Sequence, residues 1–86
     1  MPYMGESENT MYTPKSATIN GINYEVDKFS EYKSGRTYYH VSTKVNYRWV
    51  AVTGRTAEMV VAETEKDNSM VYYKETKDGY VEKLNV

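Results

Sequence analysis

Apolar and polar residues alternate over much of this chain with the two-residue period of a half-buried β-strand. The clearest example surrounds Asn20-Gly21, a pair that favours the positive φ angles of a two-residue hairpin turn. One strand face of that hairpin is then apolar and the other polar, as a half-buried sheet requires. Pairing outward from the turn predicts three cross-strand neighbours, which are Ile19 with Ile22, Thr18 with Asn23, and Ala17 with Tyr24.

A second turn is predicted at Ser34-Gly35, and a two-residue loop there would set Lys33 and Arg36 side by side. The next segment, residues 37–53, is rich in Tyr, Val, Thr and Trp and predicts strand structure. We expect Tyr39 and Val41 to face the core, which turns their neighbours Tyr38 and His40 outward. Because the segment is too long for one average strand, we also expect a bend near residues 42–44.

Residues 56–66 fit either a strand or a helix. Gly54-Arg55 matches a type II′ turn, which would pair this segment with the strand before it. A helix is favoured by apolar or small residues at helical spacing, namely Ala57, Val60, Val61 and Thr64. However, Met59 occupies the position where a capping box beginning at Thr56 needs Glu or Gln. The balance favours the strand.

The last hairpin is predicted after a turn at residues 67–69, with strands at 70–76 and 80–86. A two-residue turn at Asp78-Gly79 would place like charges opposite one another across these strands. A three-residue loop, residues 77–79 with Gly79 at positive φ, instead pairs Lys74 with Glu82 and Tyr72 with Leu84. We therefore expect the three-residue loop.

These elements predict a mainly β fold, a small antiparallel sheet or partly open barrel of five to seven strands. A short helix near residues 56–66 would make it α+β. Residues 1–14 show neither period and predict a flexible N-terminal arm, and residues 15–86 form a single β-rich domain. Leu, Ile, Val and Phe supply only 14 of 86 residues, so we expect tyrosines to complete a thin core, which a homodimer could enlarge.

Charge is distributed unevenly around a net value of −1. Residues 28–55 contain six basic residues and one acid, a charge of +5, whereas each flank carries −3. The same central stretch holds six of the twelve Tyr, Phe and Trp residues and the only histidine. Cations beside aromatic rings are typical of surfaces that contact phosphates and stack bases.

Composition argues against catalysis and cofactors. One histidine and no cysteine leave no His cluster, Cys–His pair or zinc finger, and no glycine-rich phosphate loop occurs. We expect no enzyme activity, no metal and no cofactor. With no long apolar run and no basic, then apolar N-terminus, we expect no membrane partner and a cytoplasmic location.

The basic-aromatic stretch predicts binding to single-stranded nucleic acid, RNA before DNA. The alternative is a protein-directed inhibitor or adaptor, since acidic arms could engage a basic host nuclease or a similar partner. In size, Tyr/Lys/Glu/Asn content and lack of cysteine the chain resembles small accessory proteins of tailed bacteriophages, which implies an inhibitor of a host nucleic-acid-processing or defence enzyme. The candidate nucleic-acid-binding residues are Lys33, Arg36, Tyr38, His40, Lys44, Tyr47, Arg48 and Arg55.

Overall fold

Two long strands form the centre of a single antiparallel sheet in the computed structural model, which describes the backbone of residues 9–66 and 71–85. The helix α1, Gly54–Glu65, follows the fifth strand and packs on one face of the sheet. The strands are β1 (Asn9–Met11), β2 (Lys15–Ile19), β3 (Ile22–Glu31), β4 (Thr37–Val45), β5 (Arg48–Val52), β6 (Val71–Glu75) and β7 (Val81–Asn85).

Strands β3 and β4 pair along their length, and every other strand attaches to one of them or to β7. β1 and β2 both pair with β3, at opposite ends, while β5 and β7 share β4 in the same way. β6 completes the sheet by pairing with β7. The predicted mainly β fold with one short helix is therefore confirmed. Three residues of the predicted N-terminal arm form β1, and residues 1–8 lie outside the described part.

The register predicted for the first hairpin is confirmed. Asn20 and Gly21 have φ angles of 51° and 79°, and all three expected cross-strand pairs of β2 and β3 are present. Tyr24 and Val26 are buried on the face that α1 covers, although Ile22, near the turn, stays about half exposed. The last hairpin also has the expected register, with Lys74 opposite Glu82, and Gly79 has a φ of 86°.

The turn at Ser34-Gly35 is longer than predicted. Gly35 N–H donates to the Glu31 carbonyl and Glu31 N–H donates to the Arg36 carbonyl, both at 2.8 Å, so residues 32–35 form a four-residue loop. Ser34 stabilises this loop, because its hydroxyl donates to the Glu31 carboxylate and accepts from Arg36 N–H. The predicted side-by-side placement of Lys33 and Arg36 is wrong, since the longer loop avoids opposing two cations.

The expected bend near residues 42–44 is also wrong, because β4 continues through these residues to Val45. The chain turns instead at Asn46 and Tyr47, whose φ angles are 50° and 66°. Two positive φ angles at the centre of a two-residue turn are the pattern of type I′. Asn tolerates this conformation but Tyr rarely adopts it, so the turn was hard to find from sequence.

The segment expected as a strand at 56–66 belongs to helix α1, so the strand and its type II′ turn are wrong. Ala57, Val60 and Val61, the positions at helical spacing, are almost fully buried against the sheet. The side chain of the N-cap residue, Thr53, makes no capping hydrogen bond to the helix. Glu75 of β6 caps the helix instead, since its carboxylate accepts from Gly54 N–H at 2.8 Å.

The core lies between α1 and the sheet. It contains two tyrosines, Tyr24 and Tyr39, and Tyr73 packs against it, which agrees with the expected tyrosine contribution. The other buried members are small aliphatic residues, namely Val26, Val41, Ala57, Val60, Val61 and Val81. The predicted inward orientation of Tyr39 and Val41 is confirmed. The turn predicted at residues 67–69 lies outside the described residues.

Candidate functional site

Helix α1 covers one face of the sheet, and alternate residues of β3, β4 and β5 point to the opposite face, here called the open face. Tyr38, His40 and Lys44 follow one another along the open face of β4. Their cross-strand neighbours there are Phe29 and Asp27 on β3 and Trp49 on β5. The open face therefore combines rings, cations and acids.

One end of the open face is a cluster of rings around Phe29. Tyr80, from the loop between β6 and β7, meets Phe29 edge to face with ring centres 5.5 Å apart and planes at 88°. Tyr38 lies on another side of Phe29 at 6.1 Å, and His40 lies 5.6 Å from Tyr80. Such ring contacts are stabilising, so part of the surface of each ring is already covered by a neighbouring ring.

The basic side chains at this end, Arg36 and His40, lie close to acids. Arg36 Nε lies 3.7 Å from Glu82 Oε2, and His40 Nδ1 lies 3.9 Å from Asp27 Oδ2. A hydrogen bond that Arg36 donates to the Tyr38 hydroxyl, with the nearby Glu82 carboxylate, holds the pKa of Arg36 above its ordinary value. The guanidinium carries a positive charge, as arginine does at neutral pH, but a phosphate approaching it would also meet the Glu82 carboxylate.

The other end of the open face lies at the turn between β4 and β5. Here Lys44 Nζ lies 5.5 Å from the centre of the Trp49 ring, across the strand pair. Tyr47, in the turn, is 94% exposed, and Trp49 is 56% exposed. We call Lys44, Tyr47, Arg48 and Trp49 the hairpin-tip cluster.

A groove of about 410 Å³ runs beside the hairpin-tip cluster. None of the residues that line it is acidic; they are Gly21, Ile22, Asn23, Thr43, Lys44 and Trp49. The side chain of Arg48 points to the α1 side of β5. Val45 and Val50 on that side are nearly half exposed, so the helix does not cover the hairpin tip. The hairpin tip is therefore accessible on both faces.

The eight predicted residues do not form one continuous surface. Arg36, Tyr38, His40 and Lys44 lie along the open face, and Tyr47 and Arg48 lie at its hairpin tip. Lys33 lies in the exposed loop at the far end of β4, and Arg55 lies in the first turn of α1. Lys28, also in the basic stretch, faces the helix and pairs with Glu65 at 3.7 Å.

Sequence reasoning omitted Trp49 and Tyr80 from the candidate residues. Trp49 could have been found if Asn46-Tyr47 had been recognised as a turn, because that turn sets Trp49 opposite Lys44. The sequence indicated the position of Tyr80 less clearly. This residue follows the correctly predicted loop at residues 77–79, but its contact with Phe29 depends on how β7 pairs with β4.

Within the described residues, no group of three or more His, Asp or Glu side chains is placed to hold a metal ion. No helix in the same part of the chain is long and apolar enough to cross a membrane. Comparison with protein-family models, curated proteins and solved structures finds no match to this chain. Its function is therefore argued from the chemistry of the open face.

Proposed function

We propose that this chain is a non-enzymatic binding protein that engages single-stranded nucleic acid, RNA in preference to DNA, through its hairpin-tip cluster. The observation that supports the proposal most is a groove without acids that is lined by Lys44 and Trp49, with the exposed Tyr47 and Arg48 in the adjoining turn and strand. Proteins that bind single strands use this combination, with cations that follow the phosphates and rings on which bases stack.

Each member of the cluster has a distinct role in the proposal. Trp49 and Tyr47 supply ring faces for two bases, and each stack contributes about 1–3 kcal/mol to binding. Lys44 and Arg48 contact the phosphates on either side. Their contribution is sequence-independent and falls as salt concentration rises.

The rest of the open face contributes little to this path. From Lys44 to Tyr38 the strand covers about 20 Å. At that far end Tyr38 packs against Phe29, and Arg36 and His40 face the carboxylates of Glu82 and Asp27. We therefore expect single strands to bind the hairpin tip first.

The single tryptophan provides a direct readout, since a base stacked on Trp49 quenches its fluorescence. Titration with an oligouridine of about eight nucleotides should quench Trp49, and oligothymidine should do so more weakly. In the double variant Lys44→Ala with Arg48→Ala, affinity should fall at least about tenfold, because two phosphate contacts are lost.

The matched control is Lys74→Ala with Lys77→Ala. It removes the same amount of charge from exposed positions outside the hairpin tip. This control should retain most of the affinity of the unaltered chain. Equal losses in the two double variants would show that only net charge matters and would contradict the proposed site.

A protein-directed inhibitor or adaptor, of the kind that bacteriophages direct at host enzymes, is the second candidate. A specific feature of the other end of the open face favours a protein partner there. That feature is a pocket around Phe29 whose chemistry is unsuited to phosphate.

A further inference from the structure

A pocket of about 420 Å³ lies where the loop between β6 and β7 approaches the open face. Its walls are aromatic and its rim is mostly acidic. We call it the ring pocket, and it is lined by Phe29, Glu31, Arg36, Tyr38, Thr76, Asp78, Tyr80 and Glu82.

The rings of this pocket form a corner. Phe29 and Tyr80 touch edge to face and are nearly perpendicular, so a group placed in the angle they form can contact both rings. Tyr38 adds a third wall, tilted by 32° from the Phe29 ring. Cations are attracted to ring faces within about 6 Å of the centre, and cages of several rings are a known way to bind them.

The charge of the ring pocket also favours a cation as the ligand. The lining contains three carboxylates and one guanidinium, a net charge of −2. Arg36 is paired with Glu82 and donates to Tyr38, so the chain already places one guanidinium against these walls. The remaining carboxylates, those of Glu31 and Asp78, leave the pocket with an excess of negative charge that would repel a phosphate and attract a second cation.

We propose that the ring pocket binds an arginine side chain presented by a basic protein partner. Arginine fits better than lysine, because its planar guanidinium can stack on a ring and bind a carboxylate through two N–H groups at once. This site goes beyond the proposed function, since it takes a different ligand. It lies about 20 Å along β4 from the hairpin tip, so the chain can bind a partner protein and a single strand together.

The test uses N-acetyl-arginine amide as the probe, titrated into the isotope-labelled chain and followed by NMR. Backbone amide shifts should move at Phe29, Tyr38, Thr76 and Tyr80, with millimolar affinity for this single group. The isosteric N-acetyl-citrulline amide has no charge and should bind at least about tenfold more weakly. Equal shifts with both probes, or arginine shifts centred elsewhere, would overturn the proposal.

Two conservative variants test the carboxylates without disturbing the fold. Asp78→Asn lies in an exposed loop, and Glu31→Gln keeps the oxygen that accepts from Ser34. Together they should weaken arginine binding at least about fivefold, in line with the loss of two nearby charges. Unchanged binding in the double variant would contradict the proposed role of the rim.

The two proposals fail separately. The variant Lys44→Ala with Arg48→Ala should lose oligouridine binding and keep the arginine shifts. If oligouridine moved the ring-pocket amides instead, the pocket would be part of the nucleic-acid path and the arginine proposal would be wrong. If arginine bound but oligouridine did not, only the proposed function would be rejected.

Discussion

At the scale of single residues, the backbone conformation of Tyr47 is not explained by folding alone. Its φ of 66° is a left-handed conformation that residues other than Gly, Asn and Asp rarely adopt. Its ring is 94% exposed and therefore contributes little burial in return. Strained residues that persist in this way are often found at functional sites, and a base-stacking role would account for Tyr47.

Replacing Tyr47 with glycine should separate stability from binding. Glycine relieves a left-handed strain of about 1–2 kcal/mol but loses more chain entropy on folding. We expect a net gain of about 0.5–1 kcal/mol in the free energy of unfolding, measured in urea, together with weaker oligouridine binding.

Tyr32→Gly is the matched control, because Tyr32 is 77% exposed in another loop and has no positive φ. It should leave the free energy of unfolding unchanged or lower it. If Tyr47→Gly were no more stable than this control, the strain at the turn would not be real.

At the scale of elements, hairpins were predictable where the turn residues are local signals. Asn20-Gly21 and Gly79 each encode a positive φ at the position where the structure has one, and alternation then sets the register. The turn at Asn46-Tyr47 was missed because no glycine marks it. The helix was misjudged for another reason, since its N-terminus is capped by Glu75, 21 residues away in the chain.

Helix α1 and strand β6 stabilise each other through a pair of glutamates. Glu75 accepts from Gly54 N–H at the start of α1, and Glu58 of α1 accepts from the Glu75 N–H at 2.7 Å. Neither contact can be read from a sequence window that contains only the helix. The helical spacing of Ala57, Val60 and Val61 correctly indicated a helix, although the side chain of its N-cap residue makes no capping hydrogen bond.

Glu75→Ala should therefore destabilise the domain by about 1–2 kcal/mol, the cost of removing a helix cap. Glu75→Gln should lower the free energy of unfolding by less, about 0.3–1 kcal/mol. Its amide oxygen can still accept the hydrogen bond from Gly54 N–H, but the negative charge at the helix N-terminus is gone. Urea unfolding followed by circular dichroism measures both.

Glu63→Ala provides the comparison, since Glu63 is an exposed glutamate on the same helix. We expect it to change the free energy of unfolding by no more than about 0.5 kcal/mol. A Glu75→Ala variant as stable as Glu63→Ala would show that the cap does not hold the helix in place.

At the scale of the whole molecule, a charge count along the sequence does not predict a charged surface. Strand alternation and the turns send the cations of residues 28–55 to different places. Lys28 pairs with Glu65 under the helix, Arg36 pairs with Glu82, and Arg55 lies on α1. The two pairing acids come from the C-terminal flank, 37 and 46 residues away in the chain, so only tertiary structure could show which cations remain near rings without facing acids.

The open face consequently has two ends of different chemistry. The hairpin tip presents Lys44 and Trp49 beside an acid-free groove, whereas the ring pocket carries three carboxylates. The sequence places rings and cations of the central stretch close together along the chain, and Lys44 and Trp49 meet on the open face. The sequence could not show that Glu82 and Asp78 would join the rings at one end of that face.

The salt dependence of oligouridine binding tests the central claim most directly. Two phosphate contacts, from Lys44 and Arg48, predict that the logarithm of the association constant falls by about 1.4 for each tenfold rise in salt, at about 0.7 per contact. Trp49 fluorescence across a salt series measures this slope. Binding that is flat with salt, or no quenching at the lowest salt concentration, would contradict a nucleic-acid site at the hairpin tip.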